Sequence, residues 1–194
     1  MKVFIVSDME GVAGIVKWQQ VDGGKEKRSY HEGRELYTEE INAAVRGARP
    51  AGATEIVVMD CHGAGEEWTF NSLDSGQARS RLRVRRAERL DGVHRAARAG
   101  LRRRALRRAC TQRRERRTAS LSHTVSGQAW RELQFNGVSV GETGINAALC
   151  GQWGCPVLLV TGDEAVCREA TELLGAGLTT VAVKKGSAAS APGS

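Results

Sequence analysis

The sequence of 194 residues predicts an α/β fold, in which a mostly parallel central sheet is the middle layer of a three-layer sandwich. Short apolar runs rich in β-branched residues alternate along the chain with longer segments whose apolar residues recur at helical spacing. Several of these runs end at acidic or polar residues, as strands do where a sheet opens on a functional site. We predict one domain over residues 1–186 and a disordered tail of small residues and proline at 187–194.

The first part of the chain is predicted to form a strand, a helix and a second strand. Val3–Val6 is a short β-branched and aromatic run that fits a buried strand. Glu35–Ala48 has apolar residues at helical spacing, and Pro50 stops it. Ile56–Met59 is the second strand. Such strand-helix-strand units are right-handed in nearly all cases.

The second part is predicted to add a hairpin, two helices and two strands. Asn136-Gly137 is the dipeptide typical of a tight hairpin turn. Asp163 is expected to cap the second helix. The predicted elements are hairpin Glu132–Val140, helix Glu142–Trp153, strand Pro156–Val160, helix Glu164–Leu174 and strand Thr179–Val183.

Composition excludes several classes of protein. No apolar run approaches the roughly 18 residues that span a bilayer. The apolar stretch at the N-terminus already ends at Ser7, so it is too short for a secretory signal. We therefore expect a cytoplasmic protein with no membrane partner. The five cysteines show no C-x-x-C spacing, so we expect free thiols.

The formal net charge of +7 combines two oppositely charged parts. Residues 79–117, called here the arginine-rich segment, contain 17 arginines and three acids and carry +14, which leaves −7 on the rest. A solvated helical face does not explain the segment, because its clustered arginines leave no apolar stripe. Two interpretations remain: an arm that binds nucleic acid through phosphate contacts, or a frameshift in a GC-rich gene, where shifted codons often encode arginine.

Candidate metal ligands follow the first two predicted strands. Asp8 and Glu10 are two residues apart in an extended segment and point the same way. If the strands are neighbours, these carboxylates and His62 form a cluster that suits Zn²⁺ or Mn²⁺. Each has a structural alternative, since a strand-end Asp often caps a helix or forms a turn and His62 fits a solvated loop histidine.

Two later residues are further candidates. His123 lies in a segment with few charges, where the alternative is a hydrogen-bonded core histidine. Glu142 begins a predicted helix, where a carboxylate also interacts favourably with the helix dipole. Neither alternative explains the strand-end residues and these two segments together.

These segments resemble the zinc-dependent D-aminopeptidases of the dipeptide-operon type. The resemblance covers about 1–75 and 119–186, in order. The motifs that carry it are Ser7-Asp8-Met9-Glu10-Gly11, Thr38-Glu39-Glu40, Asp60-Cys61-His62, Leu121-Ser122-His123, Asn136-Gly137, Gly141-Glu142-Thr143-Gly144-Ile145-Asn146 and Pro156 to Asp163.

The resemblance implies a site with two zinc ions per subunit. Asp8 would bridge the ions, Glu10 and His62 would hold one, and Glu142 would help to hold the other. His123 corresponds to the family's catalytic histidine, beside the metals. The family removes N-terminal D-residues from short peptides with zinc-activated water, and its subunits form a homo-oligomeric ring whose sites face an inner cavity.

The sequence departs from the family pattern at two places. The family has a second metal-binding histidine about a dozen residues before the position of His123, whereas this chain has Cys110-Thr111-Gln112. We therefore expect the second zinc site to be incomplete. The family chain also continues beyond residue 186 with further helical structure, so we expect a C-terminal part to be missing.

A frameshift over about residues 76–120 accounts for the missing histidine. Codons can be chosen for Leu101–Arg108 that encode a buried apolar strand when read one base later. Codons for Ala109–Thr118, read from the last base of the preceding codon and so in the other shifted frame, encode Gly-Met-His-Ala. We interpret the chain as a D-aminopeptidase-like metallohydrolase with a corrupted central strand and impaired activity. The alternatives are a nucleic-acid-binding module, although we do not expect a nucleic-acid partner, and a hydrolase of another amide or ester.

Overall fold

The protein is represented by a computed structural model that describes residues 1–22, 27–62, 81–86, 105–108, 119–125 and 131–186. The strands are β1 (Lys2–Ser7), β2 (Glu55–Asp60), β3 (Arg81–Arg86), β4 (Ala105–Arg108), β5 (Gln134–Phe135), β6 (Val138–Ser139), β7 (Val157–Asp163) and β8 (Thr179–Lys184). The helices are α1 (Lys27–Ala48), α2 (Glu142–Gln152) and α3 (Glu164–Leu174), with a 3₁₀ turn at Trp18–Gln20.

Six of the strands form one parallel sheet in the order β3-β2-β1-β4-β7-β8. Strands β5 and β6 form a separate antiparallel hairpin. The predicted α/β fold with a parallel sheet is confirmed, while the three-layer arrangement stays a prediction. Among the described residues, no helix has the length and apolar character needed to cross a membrane. The cytoplasmic location also stays a prediction.

The central strands are buried on both faces, which explains their continuous apolar sequences. Phe4 and Val6 of β1 pack with Cys150 of α2 and with Cys155. The alternate residues of β1 and β2 face the opposite side, because successive side chains of a strand point in opposite directions. There they pack with α1 in a buried cluster that includes Val3, Ile5, Ile56, Val58, Tyr37, Ile41 and Val45.

Helix α1 begins at Lys27, eight residues before the predicted start at Glu35. Its first turns contain many charged residues and few that are buried in the core, so apolar residues do not recur there at a recognisable helical spacing. Gly33 is buried in this part of the helix, and a Cβ atom on it would lie 2.1 Å from the carbonyl oxygen of Gln20. The sequence therefore allows the 3₁₀ turn to approach the helix closely at this glycine.

The arginine-rich segment contributes two strands to the sheet. Strand β4 lies between β1 and β7, in the interior of the sheet, within the segment predicted to hold the corrupted central strand. It ends in Arg107 and Arg108, whereas interior parallel strands are usually apolar. Strand β3 pairs with β2 and was not predicted. The rest of this segment and the tail at 187–194 lie outside the described residues.

The remaining elements follow the predictions closely. Asn136 and Gly137 have φ angles of 52° and 82°, the left-handed pair that a type I′ turn requires. The Asp163 side chain accepts a hydrogen bond from the Val166 backbone N–H at 2.8 Å, so it caps α3 as predicted. The cysteines of the described residues, Cys61, Cys150, Cys155 and Cys167, form no disulfide.

Candidate metal centre

The carboxyl ends of β1 and β2 bring together the first three predicted ligands. The two strands are in register, with Ser7 opposite Asp60, so the residues that follow them emerge at the same edge of the sheet. Asp8, Glu10 and His62 are all buried there, and each offers a ligand atom within 4.8 Å of the others. His62 Nδ1 lies 3.1 Å from Asp8 Oδ1 and 3.2 Å from Glu10 Oε2.

The backbone fixes which nitrogen of His62 faces the carboxylates. His62 Nε2 lies 2.7 Å from the carbonyl oxygen of Val21. A carbonyl can only accept, so Nε2 donates its proton and the lone pair of the neutral ring is on Nδ1. Metal-binding histidines are typically oriented in this way by a hydrogen bond from the second nitrogen. His62 is therefore preorganised to offer Nδ1 to a cation.

The ionisation of the three groups is strongly coupled. Burial and the charge of Glu10 raise the pKa of Asp8. Burial alone would raise the pKa of Glu10, but the charge and hydrogen bond of His62 lower it to about 2. Burial opposes protonation of His62, yet Glu10 and Asp8 hold its pKa well above the usual range. In the absence of a metal, a proton on His62 thus supplies positive charge that a cation would otherwise supply.

Glu142 joins the cluster from the first turn of α2. Its Oε1 accepts a hydrogen bond from the backbone N–H of Val125 at 2.8 Å. Burial and the negative charge of Asp8 raise the pKa of Glu142 to about 7. Glu142 is partly exposed and lies close enough to Asp8 for the two charges to interact, so the fourth predicted ligand borders the buried cluster of Asp8, Glu10 and His62.

His123 lies beside these carboxylates, on a segment with unusual backbone geometry. Leu121 and Val125, on either side of it, have φ angles of 54° and 57°, which non-glycine residues seldom adopt. Such strain is concentrated at functional sites. The Ser120 N–H donates to Asp163 Oδ2 at 2.7 Å, which anchors the segment to the end of β7.

The ring of His123 has a defined orientation. Its Nδ1 lies 3.1 Å from the Leu121 carbonyl oxygen, so Nδ1 carries the donated proton and Nε2 is left for other partners. The ring of Trp18 lies against it, with a centroid distance of 5.7 Å. Burial lowers the pKa of His123, but Glu10 and Glu142 outweigh burial and raise it.

Two buried residues support the site without having been predicted as part of it. The Tyr37 hydroxyl donates to Asp60 Oδ1 at 3.1 Å, and the same oxygen accepts the backbone N–H of His62 at 3.1 Å. The position of Tyr37 on the apolar face of α1 was a usable signal, because a buried tyrosine hydroxyl needs a partner. The carbonyl of Val21 could not be found from sequence, since every residue has one.

The donor set fits a divalent cation such as zinc. Two carboxylates and an imidazole meet in a buried place, with the carboxylate of Glu142 beside them, and burying negative charge is costly without a compensating positive charge. Oxygen and imidazole ligands together are typical of Zn²⁺ and Mn²⁺ sites. Fold and site thus define an α/β protein with a buried site for a divalent cation at the carboxyl edge of a parallel sheet.

Comparison with known proteins identifies the family. The chain matches the family model described as D-aminopeptidase over residues 1–102 and 109–193, and it belongs to that family. The resemblance seen in the sequence is therefore confirmed. The six residues between the two matched ranges lie in the arginine-rich segment.

Two similar proteins come from Bacillus subtilis. The chain is 32% identical over 185 residues to a D-aminopeptidase of strain 168, a match that covers 95% of this chain and 64% of the relative. It also superposes, with a TM-score of 0.73 and 29% identity, on a structure described as the Zn-dependent D-aminopeptidase DppA, a self-compartmentalizing protease. That match covers 94% of this chain and 63% of the other. The chain thus spans less than two thirds of the length of either relative.

Proposed function

We propose that this chain is a zinc-dependent aminopeptidase that removes N-terminal D-residues from short peptides. The observation that carries the proposal is the convergence of Asp8, Glu10 and His62 with Glu142 and His123 at one edge of the sheet. The family of the chain and the zinc dependence of the similar Bacillus subtilis enzyme support the choice of reaction and metal.

The arrangement of the carboxylates supports a site for two ions. The Asp8 carboxylate lies 3.1 Å from His62 Nδ1 and its charge also acts on Glu142, so it is near the ligands proposed for both ions. Glu10 and His62 would complete one position, and Glu142 would belong to the second. When bound, zinc supplies a Lewis acid that activates water and polarises the scissile carbonyl.

His123 is suited to move a proton in this reaction. The Leu121 carbonyl orients the ring and leaves Nε2 available, and nearby carboxylates favour the protonated form. A protonated imidazole can stabilise a developing oxyanion or donate a proton to the departing amine. Positioned general acids of this kind typically contribute about 10²–10⁴-fold to the rate.

We further propose that the activity is impaired and that the second ion binds weakly. The family's second histidine has no counterpart in the sequence at 110–112, and charged residues occupy an interior strand. In this account residues 1–186 are one domain with an aberrant insert at 79–117. The family match runs through residues 79–102, which favours an altered part of the enzyme over an appended nucleic-acid-binding module.

Sequencing the gene around codons 75–120 tests the proposed frameshift. A lesion in the gene, or a corrected DNA sequence that restores the reading frame, supports the frameshift. A gene that encodes the printed residues contradicts a sequencing error.

The similar Bacillus subtilis enzyme is described as self-compartmentalizing, and on that ground we propose that this chain also forms a homo-oligomeric ring. Short peptides are the substrates that such an enclosed site would admit. Light scattering on the purified chain is expected to give a mass several times that of the 20.9 kDa subunit. A monomer at micromolar concentration would contradict the proposed assembly.

The reaction is tested with a panel of matched D- and L-aminoacyl amides and a few esters. We expect zinc-dependent release of the D-residues, loss of activity in a chelator, and recovery when Zn²⁺ is restored. Glu10→Gln should abolish turnover, and the control Glu39→Gln, on the exposed face of α1, should not. Preference for L-residues or for esters would instead favour a metallohydrolase with another substrate.

A further inference from the structure

The segment that carries Glu10 has little regular secondary structure, although it is deeply buried. Met9, Val12 and Ile15 are each 0% exposed. Turn hydrogen bonds run from Val12 N–H to the Met9 carbonyl and from Ile15 N–H to the Val12 carbonyl. Several of its other backbone groups are satisfied by side chains from elsewhere in the chain.

Lys184 makes the most extensive of these contacts. It is the last residue of β8, the strand at one end of the described sheet. Its ammonium donates to the carbonyl oxygens of Glu10, of Val12 at 3.0 Å and of Ile15 at 2.6 Å. An ammonium has three donors and no acceptor, so it can bond all three carbonyls at once.

Side chains of α1 and of the 3₁₀ turn also bond the backbone of this segment. The Ala13 N–H donates to Glu40 Oε2 at 2.8 Å. The buried side chain of Gln20 accepts from the N–H groups of Val16 and Lys17 at 2.8 and 3.0 Å. Lys184 differs from Glu40 and Gln20 because it also bonds the backbone of a predicted metal ligand, Glu10.

We propose that Lys184 is a positioning residue for the metal centre, which fixes the backbone of Glu10 and so the direction of its carboxylate. This inference rests on the proposed zinc site. Without the ammonium, three carbonyls lose a charged hydrogen-bond donor and the segment can relax away from its present course. Zinc binding would then have to order Glu10, and that ordering weakens affinity. Lost outer-shell contacts commonly cost 10–100-fold in metal affinity.

The chain provides a matched control in the next residue. The Lys185 side chain is 76% exposed and lies 3.5 Å from the exposed carboxylate of Glu164. Lys184→Met and Lys185→Met therefore remove the same charge from adjacent positions, and only the first removes a contact to the Glu10 segment.

The experiment is a titration of the metal-free, full-length protein with Zn²⁺ in competition with a chromophoric chelator. Lys184→Met is expected to bind Zn²⁺ 10–100-fold more weakly than the unsubstituted chain, and Lys185→Met within about twofold. The visible spectrum of the Co²⁺-loaded protein should change in Lys184→Met alone. A role in stability only would lower the melting temperature and leave the affinity and the spectrum of the folded protein unchanged.

Equal Zn²⁺ affinities in folded Lys184→Met and Lys185→Met would overturn the inference while leaving the zinc site intact. Absence of Zn²⁺ binding in the unsubstituted chain would instead overturn the proposed function, and this inference with it. If Lys184→Met does not fold, Lys184→Gln, which keeps the two N–H donors of an amide but not the charge, takes its place. Weaker binding than in Lys185→Met then supports the inference, and equal binding contradicts it.

Discussion

Asp8 couples the two sides of the site, because it interacts with both His62 and Glu142. Its charge adds to the effect of burial in raising the pKa of Glu142 to about 7, and the charge of Glu10 in turn raises the pKa of Asp8. A divalent cation among these carboxylates would relieve the repulsion. The metal-free site is therefore a place where stability depends on pH.

Glu142 gives this dependence a definite sign. Its folded-state pKa of about 7 lies above the ordinary value of 4.5, so ionisation opposes folding and stability falls as pH rises between these values. We expect Glu142→Gln to raise the unfolding free energy of the metal-free protein by on the order of 1–2 kcal/mol at pH 8, and by much less at pH 5. Urea denaturation at both pH values measures this. An effect of equal size at both, or one shared by Glu39→Gln, would contradict it.

Trp18 is the aromatic neighbour of His123 and is itself 39% exposed. Its removal should loosen the His123 ring with little loss of core packing. We expect Trp18→Ala to lower kcat/KM about tenfold, equivalent to about 1.4 kcal/mol, with a small change in melting temperature. Trp18→Phe should retain most of the activity. Val138→Ala, in the exposed hairpin, is the control, and an equal loss of activity in that variant would count against the role of Trp18.

At the scale of elements, the sequence predicts best where local pattern and tertiary burial agree. Strands β1 and β2, the Asn136-Gly137 turn and the Asp163 cap are all recognisable, because each depends on residues close together in the chain. The start of α1 is not, because its first turns face the 3₁₀ turn at Trp18–Gln20 through Gly33. Strand β3 could not be predicted from the sequence, because four of its six residues are arginines, whereas strands are typically rich in β-branched and aromatic residues.

Substituting two glycines of α1 by alanine tests this packing, because the two changes in stability are expected to have opposite signs. A Cβ on Gly33 would lie 2.1 Å from the Gln20 carbonyl oxygen, whereas a Cβ on Gly47 would meet nothing within 4 Å. We expect Gly33→Ala to destabilise the protein by about 1–3 kcal/mol through overpacking. Gly47→Ala should stabilise it by up to about 1 kcal/mol through helix propensity. Chemical denaturation of both variants measures their free energies of unfolding. Similar values for the two variants would show that the 3₁₀ turn does not need the close approach to α1 at Gly33.

At the scale of the whole molecule, the site is assembled from segments far apart in sequence. Asp8, His62, His123 and Glu142 could each be proposed from local motifs, and the resemblance to D-aminopeptidases linked them. Their mutual orientation could not be predicted, because it depends on the Val21 carbonyl, the Tyr37 hydroxyl and backbone strain around His123. The net charge of +7 is the sum of two unlike parts, since the chain outside 79–117 carries −7.

The central claim is that Asp8, Glu10 and His62 bind zinc in this chain. The most direct measurement is the zinc content and affinity of the purified protein, beside His62→Ala and the control His31→Ala, which alters an exposed histidine of α1. We predict one tightly bound zinc per chain, retained in His31→Ala and lost in His62→Ala. Zinc bound equally by His62→Ala and the unsubstituted chain, or no zinc in either, would contradict the claim.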